Sequence, residues 1–316
     1  MFKGLLGLTM VFFIIACDQI KAPDKVSIAL NPWPGNVLLY LADKKEFFSQ
    51  VGINVELVRV STLADVQRAY LAGDVDGFSS TLVEVVQVGV VGGKPSKIVL
   101  IADYSHGGDV IISAAQINSV KELKGKTVGC EVSSLGTYIL GKALAEHQMT
   151  LADINIVNIE QESAGEALAS RKIVAMVTYP PYSIALQSAG DYKQIFTTKE
   201  IPEDILDILS ISEKVLQQQP LFVDKLRQAW KLAFDYLQQH PQEAIAMMAA
   251  QEGLTVAEYT KALDGLNLLS IEQQRQLFQQ PKKLQQMGLE VCETLVKMGA
   301  IESNCEHADS LFYLDP

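Results

Sequence analysis

Strand-like and helix-like segments alternate along most of the chain, and this order constrains the fold more than any other feature of the sequence. VSIALNP, NVELVRV and KIVLIADYS have the apolar runs or the period-two alternation of strands, and helical stretches such as NVLLYLADKKEFFSQVG separate them. The alternation resumes at DVIISAA and reaches ILDILSIS, after which the spacing becomes almost purely helical. Such a βαβα order predicts an α/β fold with parallel sheets covered by helices.

The length of the chain limits the number of its domains, and its charge limits the class of its partners. The 316 residues favour two domains, at about 150 residues for each domain. The formal net charge is −11, and no basic run is longer than two residues. Because phosphate contacts need clusters of Lys and Arg, the sequence predicts no nucleic-acid partner.

The N-terminus, MFKGLLGLTMVFFIIAC, has the layout of a secretory signal peptide. Its apolar run is too short to span a bilayer comfortably, and Ile14 to Cys17 resembles the lipobox of bacterial lipoproteins. We therefore expect residues 1–16 to be removed, Cys17 to carry acyl chains that anchor the protein in a membrane, and residues 17–25 to form a tether. Asp18 resembles the inner-membrane retention signal, which predicts a location on the periplasmic face of that membrane. The alternative is an ordinary secreted protein with a coincidental cysteine.

The other cysteines predict one disulfide. Cys292 and Cys305 are close in sequence and flank the end of a predicted helix, so we expect them to pair in an oxidising compartment. Cys130 lies inside a strand pattern and is typical of a small buried hydrophobe. No CxxC or Cys/His spacing predicts a metal site.

Candidate ligand-binding residues gather at junctions where a strand ends. Ligands of parallel α/β sheets lie at the carboxyl ends of strands, and helix N-termini there offer free N–H groups to anions. Hydroxyls, glycines and aromatic rings are dense at five such junctions, NPWPGN, FSST, DYSHGGD, EVSSLGT and VTYPPY. The residues predicted to bind the ligand are Asn31, Trp33, Gly35, Ser79, Ser80, Thr81, Ser105, Asp109, Ser133, Ser134, Gly136, Thr137 and Tyr179.

Three of these residues carry the prediction about the chemistry of the ligand. Trp33, held between two prolines, is predicted to wall the ligand, although a Trp can instead fill the core. Asp109 can bind an amine or a ring N–H, or it can make a structural salt bridge or cap a turn. Ser134 and its neighbours offer more hydroxyls than one N-cap needs, which indicates a pocket for an acidic group; redundant capping is the alternative. Together they predict a small polar or zwitterionic ligand with an acid end.

Five segments carry a resemblance to a known family: NPWPGN, LAGDVDGFSST, VVGGKPSKIVLIADYS, VKELKGKTVGCEVSSLGT and VTYPPY. Over essentially all of its mature length, the chain resembles the periplasmic substrate-binding proteins of ABC transporters, in the group that binds nitrate, sulfonates, taurine or thiamine-precursor pyrimidines. The resemblance implies a type II fold, with two α/β lobes joined by two crossover strands and a ligand enclosed by hinge closure. Family members often carry Trp-Glu-Pro where this chain has Tyr179 and Pro180, so the acidic contact that some members use is absent.

The resemblance also implies the limits of the lobes and the partners of the protein. One lobe is expected to comprise residues 26–105 and 208–316, and the other residues 109–203, with hinges near 105–109 and 203–208. The implied partners are an ABC permease in the inner membrane and a small polar, anionic or zwitterionic solute, such as a sulfonate, a taurine-like molecule or a pyrimidine-like molecule. The protein is expected to be a monomer.

Two other functions stay open at this point. A lipid-anchored binding protein can report ligand occupancy to a membrane receptor or a histidine kinase instead of a permease. An enzyme similar to thiamine-pyrimidine synthases needs a cofactor-holding lysine and an active-site histidine, and only His106 of the four histidines lies at a strand-end junction. No catalytic spacing stands out. The sequence therefore predicts no enzymatic activity, no cofactor and no metal site.

Overall fold

The structure is a computed structural model that describes residues 24–314. The predicted signal peptide, the lipidation site Cys17 and nearly all of the predicted tether lie outside the described residues. The strands are β1 (Lys25–Leu30), β2 (Asn54–Arg59), β3 (Gly77–Thr81), β4 (Ser96–Ser105), β5 (Val110–Ala114), β6 (Thr127–Cys130), β7 (Asn155–Asn158), β8 (Ala175–Thr178), β9 (Tyr192–Thr197), β10 (Leu206–Ser212) and β11 (Leu266–Leu268). The helices are α1 (Val37–Lys44), α2 (Phe47–Gln50), α3 (Leu63–Ala72), α4 (Leu82–Val86), α5 (Leu135–Ala145), α6 (Ala164–Ala169), α7 (Tyr182–Ala189), α8 (Glu213–Gln218), α9 (Phe222–Gln239), α10 (Pro241–Glu252), α11 (Val256–Leu263), α12 (Ile271–Phe278) and α13 (Pro281–Lys297).

Two separate sheets divide the described chain into what we call the larger and the smaller lobe. The larger lobe has a six-stranded sheet in the order β11-β4-β10-β3-β1-β2, and the smaller lobe has a five-stranded sheet in the order β7-β6-β8-β5-β9. In the larger sheet β1 is parallel to β2 and β3, and in the smaller sheet β6 is parallel to β7 and β8. Helices that follow these strands cover the sheets, as βαβ units require.

The expectation of parallel sheets is wrong for three strands. β10 runs antiparallel to β3 and β4, β5 runs antiparallel to β8 and β9, and β11 runs antiparallel to β4. β5 and β10 are the strands that enter each sheet from the other lobe, so no βαβ crossover sets their direction. β11 arrives from the helical C-terminal region and pairs at the sheet edge.

The chain passes between the lobes twice, between β4 and β5 and again between β9 and β10. These two crossover segments are hydrogen-bonded to each other. Ser105 Oγ lies 2.9 Å from Thr198 Oγ1, and the Gly107 N–H donates to the same Thr198 oxygen at 2.8 Å. The Thr198 N–H donates in turn to the Asp109 carbonyl at 3.1 Å. The connections between the lobes therefore lie side by side.

Apolar packing holds each lobe together and continues from one lobe to the other. One cluster around the buried Trp230 of α9 packs α1, α9 and α10 against the larger sheet. Another cluster joins Val85 of α4, Tyr138 of α5 and Leu295 of α13. Since α4 belongs to the larger lobe and α5 to the smaller lobe, this second cluster spans the boundary between them.

The C-terminal region is tied back onto the larger lobe. A disulfide joins Cys292 of α13 to Cys305, with 5.8 Å between their Cα atoms; this is the pair that the sequence predicts. Beyond it, the Tyr313 N–H donates to the Ile98 carbonyl of β4 at 2.9 Å. Cys130 is buried and has a free thiol.

Within residues 24–314, no helix is both long enough and apolar enough to cross a membrane. The same range contains no group of His, Cys, Asp and Glu side chains that is placed to hold a metal ion.

Candidate functional site

A small cavity lies between the two lobes, at the carboxyl ends of strands from both sheets. Its volume is about 10 Å³, which is roughly the space that one water molecule needs. Five of the predicted ligand-binding residues meet here with three residues that the sequence analysis did not select. The lining residues are Asn31, Trp33, Leu63, Thr81, Asp109, Leu135, Tyr179 and Asp207.

The turn after β1 is fixed by its own polar side chains. Asn36 Nδ2 donates to the Asn31 carbonyl at 3.0 Å, and the Ser79 hydroxyl donates to Asn36 Oδ1 at 2.8 Å. Ser79 therefore supports the turn and does not line the cavity. The turn places Trp33 at the cavity wall, where its ring is largely buried.

Gly35 lies against two side chains of the site. A Cβ atom at this position would overlap a carboxylate oxygen of Asp103 and the indole ring of Trp33. The glycine therefore allows the ring and the carboxylate to lie side by side beneath the turn.

Aromatic side chains form a wall that crosses the gap between the lobes. Trp33 of the larger lobe meets Tyr179 of the smaller lobe edge to face, with 5.9 Å between ring centroids. Tyr179 meets Tyr182 in the same manner at 5.7 Å. The Asn31 amide also donates across the gap to the Tyr179 hydroxyl at 3.2 Å. These contacts join the end of β1 to the end of β8.

The hydroxyls of the FSST junction serve the start of α4. The Thr81 hydroxyl accepts the Val83 N–H at 3.2 Å, and the Glu84 carboxylate accepts the Thr81 N–H at 3.1 Å together with the Thr81 hydroxyl. This is a capping box, which satisfies helix N-terminal donors reciprocally. The Ser80 hydroxyl points to the Thr81 carbonyl at 3.4 Å. Only Thr81 of this junction lines the cavity.

The N-terminus of α5 faces α4 across the gap, and its capping differs from the predicted donor pocket. The Ser134 hydroxyl is buried and donates to the Glu131 carbonyl at 2.9 Å. The Leu135 N–H donates to Oε1 of Glu84 at 2.7 Å. A carboxylate of the larger lobe thus occupies the place where the sequence predicted the acid end of a ligand.

The other residues of the EVSSLGT junction also have structural surroundings. Ser133 is exposed and lies in the left-handed region with φ 63°. Thr137 is buried, with its Oγ1 3.9 Å from Cys130 Sγ. A Cβ at Gly136 would come within 3.0 Å of the Glu131 backbone, so the glycine permits close packing of α5. None of these three residues lines the cavity.

Five of the buried polar residues in and around the cavity carry carboxyl groups. Strand register brings two of them together, because Asp207 of β10 lies opposite Asp103 of β4 and opposite Thr81 of β3. Asp109 lies in the first crossover segment. Its backbone N–H donates to the Ser105 hydroxyl at 3.2 Å, and this hydrogen bond helps to fix its position. The buried acids are Glu84, Asp103, Asp109, Glu131 and Asp207, and no Lys, Arg or His is buried in the described part of the chain.

Burial raises the pKa of the aspartates at this site, since it disfavours the charged form. It raises the pKa of Asp103 to about 7, although the neighbouring Asp207 and Trp33 oppose the rise. It raises the pKa of Asp109 to about 7, against the opposing effect of the Ser105 hydroxyl. Burial and the charge of Asp103 together hold the pKa of Asp207 well above its usual value. The aspartates therefore retain protons up to near-neutral pH.

The two buried glutamates follow the same rule. Burial, with the charge of Glu84, raises the pKa of Glu131 to about 8. Burial also raises the pKa of Glu84, and the hydrogen bonds from Thr81 and Leu135 partly oppose this.

Several buried polar atoms at the site have no hydrogen-bond partner among residues 24–314. Trp33 and Asp207 lie close enough to Asp103 to affect its pKa, yet neither makes a well-formed hydrogen bond to it. Because buried polar groups are ordinarily paired, the atoms of this set that belong to cavity-lining residues are candidates for contact with a ligand. The whole set is Trp33 Nε1, both carboxyl oxygens of Asp103, Oδ2 of Asp109, Oδ2 of Asp207 and Thr178 Oγ1.

Four of the buried acids in and around the cavity were not predicted from the sequence, although three of them left a signal there. Asp103 and Asp207 are the only acids within the apolar strands KIVLIADYS and ILDILSIS. Glu84 completes the T-x-x-E pattern of a capping box. Leu63 and Leu135, which also line the cavity, have no comparable signal in the sequence.

Comparison with known proteins gives a family match and one type of curated relative. The family model described as "NMT1/THI5 like" matches residues 33–244. A protein of Brucella abortus (strain 2308), provisionally named a binding protein, is 24% identical over 280 residues, which cover 84% of this chain and 83% of the relative.

Solved structures share the fold at low sequence identity. The alkanesulfonate-binding protein SsuA of Xanthomonas axonopodis pv. citri, bound to MOPS, has a TM-score of 0.77 and 15% identity, covering 92% of this chain and 98% of that protein. The desulfurization enzyme DSZB has a TM-score of 0.64 and 15% identity, covering 92% of this chain and 97% of the enzyme. One fold thus serves a binding protein and an enzyme, so the fold alone does not decide the function.

Proposed function

Because this chain belongs to the NMT1/THI5-like family and has the fold of periplasmic binding proteins, we propose that it captures a small polar solute between its lobes and passes it to an ABC permease. One observation carries the proposal: Asn31 and Trp33 of the larger lobe and Tyr179 of the smaller lobe meet around a single cavity at the strand ends. Such a convergence from opposite lobes suits a ligand that is enclosed by closure.

Entry of a solute requires the lobes to part. The cavity of about 10 Å³ is too small for an organic molecule, which supports the proposal that a ligand enters only when the lobes part. We propose that the crossover segments near residues 105–109 and 203–208 are the hinges. Opening separates the hydrogen bonds that cross the gap, and a ligand that touches both lobes favours the closed form.

Attachment to the membrane is part of the proposal and is supported by the sequence of the N-terminus. Acylation of Cys17 holds the protein at the periplasmic face of the inner membrane, beside a permease. The protein acts there as a monomer. A role in sensing, with a receptor or histidine kinase as the partner, uses the same ligand capture and differs only in the partner.

Catalysis is the less favoured function for this site. Burial raises the pKa of the Cys130 thiol to about 11, which makes it a poor nucleophile near neutral pH. The residues that line the cavity include no Lys, Cys or His. The side chains present can hold a solute and shield it from water, and these are the tasks of a binding protein.

Native mass spectrometry of the full-length protein, purified from membranes in detergent, tests the proposal. We expect one small molecule per chain, an intact mass that includes acyl chains, and a smaller radius of gyration in X-ray scattering when the extracted molecule is added back. Chemical conversion of that molecule by the protein would instead indicate an enzyme. Binding without any change in the scattering profile would rule out hinge closure.

A further inference from the structure

The buried charges of this cleft all have one sign, and this narrows the class of solute. Building on the proposed solute-binding function, we propose that the solute is a small organic cation. Its protonated nitrogen would lie between Asp109 and Asp207, against the rings of Trp33 and Tyr179. This differs from the zwitterionic ligand with a buried acid end that the sequence predicts.

The first argument is the balance of buried charge. The five buried acids of the described chain have no buried Lys, Arg or His to pair with. An unpaired buried carboxylate is costly, and it is stabilised by protonation or by a cation that arrives from solution. An anionic solute would instead add a further negative charge to the same space.

The second argument is the geometry of the unpartnered atoms. Asp109 and Asp207 both line the cavity, are 1% and 7% exposed, and each has an Oδ2 without a partner. Asp103 lies next to Asp207 in the sheet and has two further unpartnered oxygens, although it does not itself line the cavity. An ammonium or amidinium group brings several N–H donors and no acceptor, which matches this set of acceptors. The indole N–H of Trp33, on the same wall of the cavity, is also unpartnered, but it is a hydrogen-bond donor and not an acceptor.

The third argument is the aromatic wall. Trp33 and Tyr179 both line the cavity and are largely buried. The faces of aromatic rings attract cations, and this attraction strengthens when water is excluded. The rings and the carboxyl groups therefore favour the same charge on the solute.

The fourth argument is that the anion-binding feature of the fold is already occupied. The Leu135 N–H at the start of α5 is bonded to the Glu84 carboxylate at 2.7 Å. The Ser134 hydroxyl is bonded to the Glu131 carbonyl at 2.9 Å. A sulfonate or carboxylate at this helix start would have to displace Glu84.

Calorimetric titration with probes of one shape and different charge tests the inference. The probes are benzylamine, which is protonated at pH 8, benzyl alcohol and benzenesulfonate, with propylamine, propanol and propanesulfonate as a smaller series. We expect the amine of at least one series to bind about tenfold or more tightly than its alcohol. We expect no binding of either sulfonate. The charge of the solute found by native mass spectrometry is an independent readout.

Variants locate the charge preference. Asp109→Asn and Asp207→Asn keep the shape of the side chain and remove a carboxylate, so each is expected to weaken amine binding about 30-fold or more, with little effect on the alcohol. Asp235→Asn, on α9, removes a partly exposed carboxylate that pairs with Lys231 and does not line the cavity, so it is expected to leave amine binding unchanged. Circular dichroism establishes that each variant is folded.

The outcomes separate this inference from the function on which it rests. Preferred binding of an alcohol or a sulfonate, or capture of a solute without a protonated nitrogen, overturns the cation inference and leaves solute capture intact. Equal amine affinity in the wild type and both Asp variants also overturns it. If no probe binds and no solute is captured, the proposed function and the inference both fail.

Discussion

Trp33 and Asp103 lie side by side only because residue 35 has no side chain. The turn that carries Gly35 places its Cα directly over both groups. The indole ring and the carboxyl group are therefore positioned by a residue that does not itself line the cavity. Any side chain at this position must move one of them.

We expect Gly35→Ala to lower the free energy of unfolding by about 1–3 kcal/mol, because the new Cβ overlaps well-packed groups. Urea denaturation measures the change. Gly165→Ala in α6 is the matched control, since its Cβ would meet Leu186 at an ordinary 3.6 Å; its effect is expected to stay within about 1 kcal/mol. Equal losses in the two variants would contradict the steric explanation.

At this scale the sequence revealed part of the site. Trp33, Asp109 and Tyr179 were predicted because they stand at strand ends, and the structure places all three at the cavity. Asp103 and Asp207 were not predicted, because the register of β10 against β4, strands separated by the whole smaller lobe, brings them together. The hydroxyls of Ser79 and Ser134 make hydrogen bonds to Asn36 and to the Glu131 carbonyl, and the sequence did not predict these partners.

At the scale of elements, α4 and α5 share a carboxylate across the gap. Glu84 completes the capping box of α4 and also accepts the first free N–H of α5, in the other lobe. A capping residue of one helix is thus a contact between two lobes. The sequence pattern T-x-x-E predicts the first role, and only the tertiary structure shows the second.

Removal of this carboxylate is expected to cost more than the loss of a cap. Glu84→Ala leaves the Thr81 and Leu135 N–H groups buried without a partner, so we expect stability to fall by about 1–3 kcal/mol or more. Thermal unfolding and scattering measure stability and lobe separation together. Glu258→Ala is the matched control, because Thr255 and Glu258 form the same capping box on an exposed helix start. If Glu84 matters because it caps helices of both lobes, this control should lose less stability and its scattering profile should not change.

The disulfide is an element-scale constraint on the C-terminal region. Cys292 and Cys305 are 13 positions apart, and closure of a loop of about this size stabilises a fold by about 3 kcal/mol. We expect the double replacement Cys292→Ala and Cys305→Ala to lower the denaturation midpoint accordingly. Dithiothreitol is expected to lower the denaturation midpoint of the wild type to a similar value and to leave the midpoint of the variant unchanged. If the denaturation midpoint of the wild type stayed the same with and without dithiothreitol, this explanation would be contradicted.

At the scale of the whole molecule, the buried acids determine how stability depends on pH. Asp103 and Asp109 have a folded-state pKa of about 7, against about 3.9 in an unfolded chain. The folded state binds more protons between these values, so their contribution to stability is present below the lower value and is lost as pH rises through the higher one. Glu84, Glu131 and Asp207 shift in the same direction.

We therefore expect the ligand-free protein to be more stable at pH about 5 than at pH about 8. Urea denaturation across this range measures the slope. Asp109→Asn is expected to flatten it, because the amide does not titrate, and the exposed Asp235→Asn is expected to leave it unchanged. A stability that rises with pH would show that the acids are paired with cations in the folded protein.

The predicted fold class and the predicted family resemblance are confirmed. Both rested on periodic segments and strand-end motifs, which are local properties of the chain. The direction of β5 and β10 was outside the reach of such patterns, because it depends on which lobe the chain has just left. The local hydrophobic pattern of a strand shows which of its faces is buried. It does not show from which lobe the strand enters its sheet.

The two crossover segments are joined to each other through Ser105, Gly107 and Thr198. We expect these hydrogen bonds to make the two segments move as a pair, so that the proposed hinge motion is a rotation about a direction along them. One angle between the lobes would then describe that motion. A single distance distribution, measured between one label on each lobe, would then report the populations of the closed and open forms.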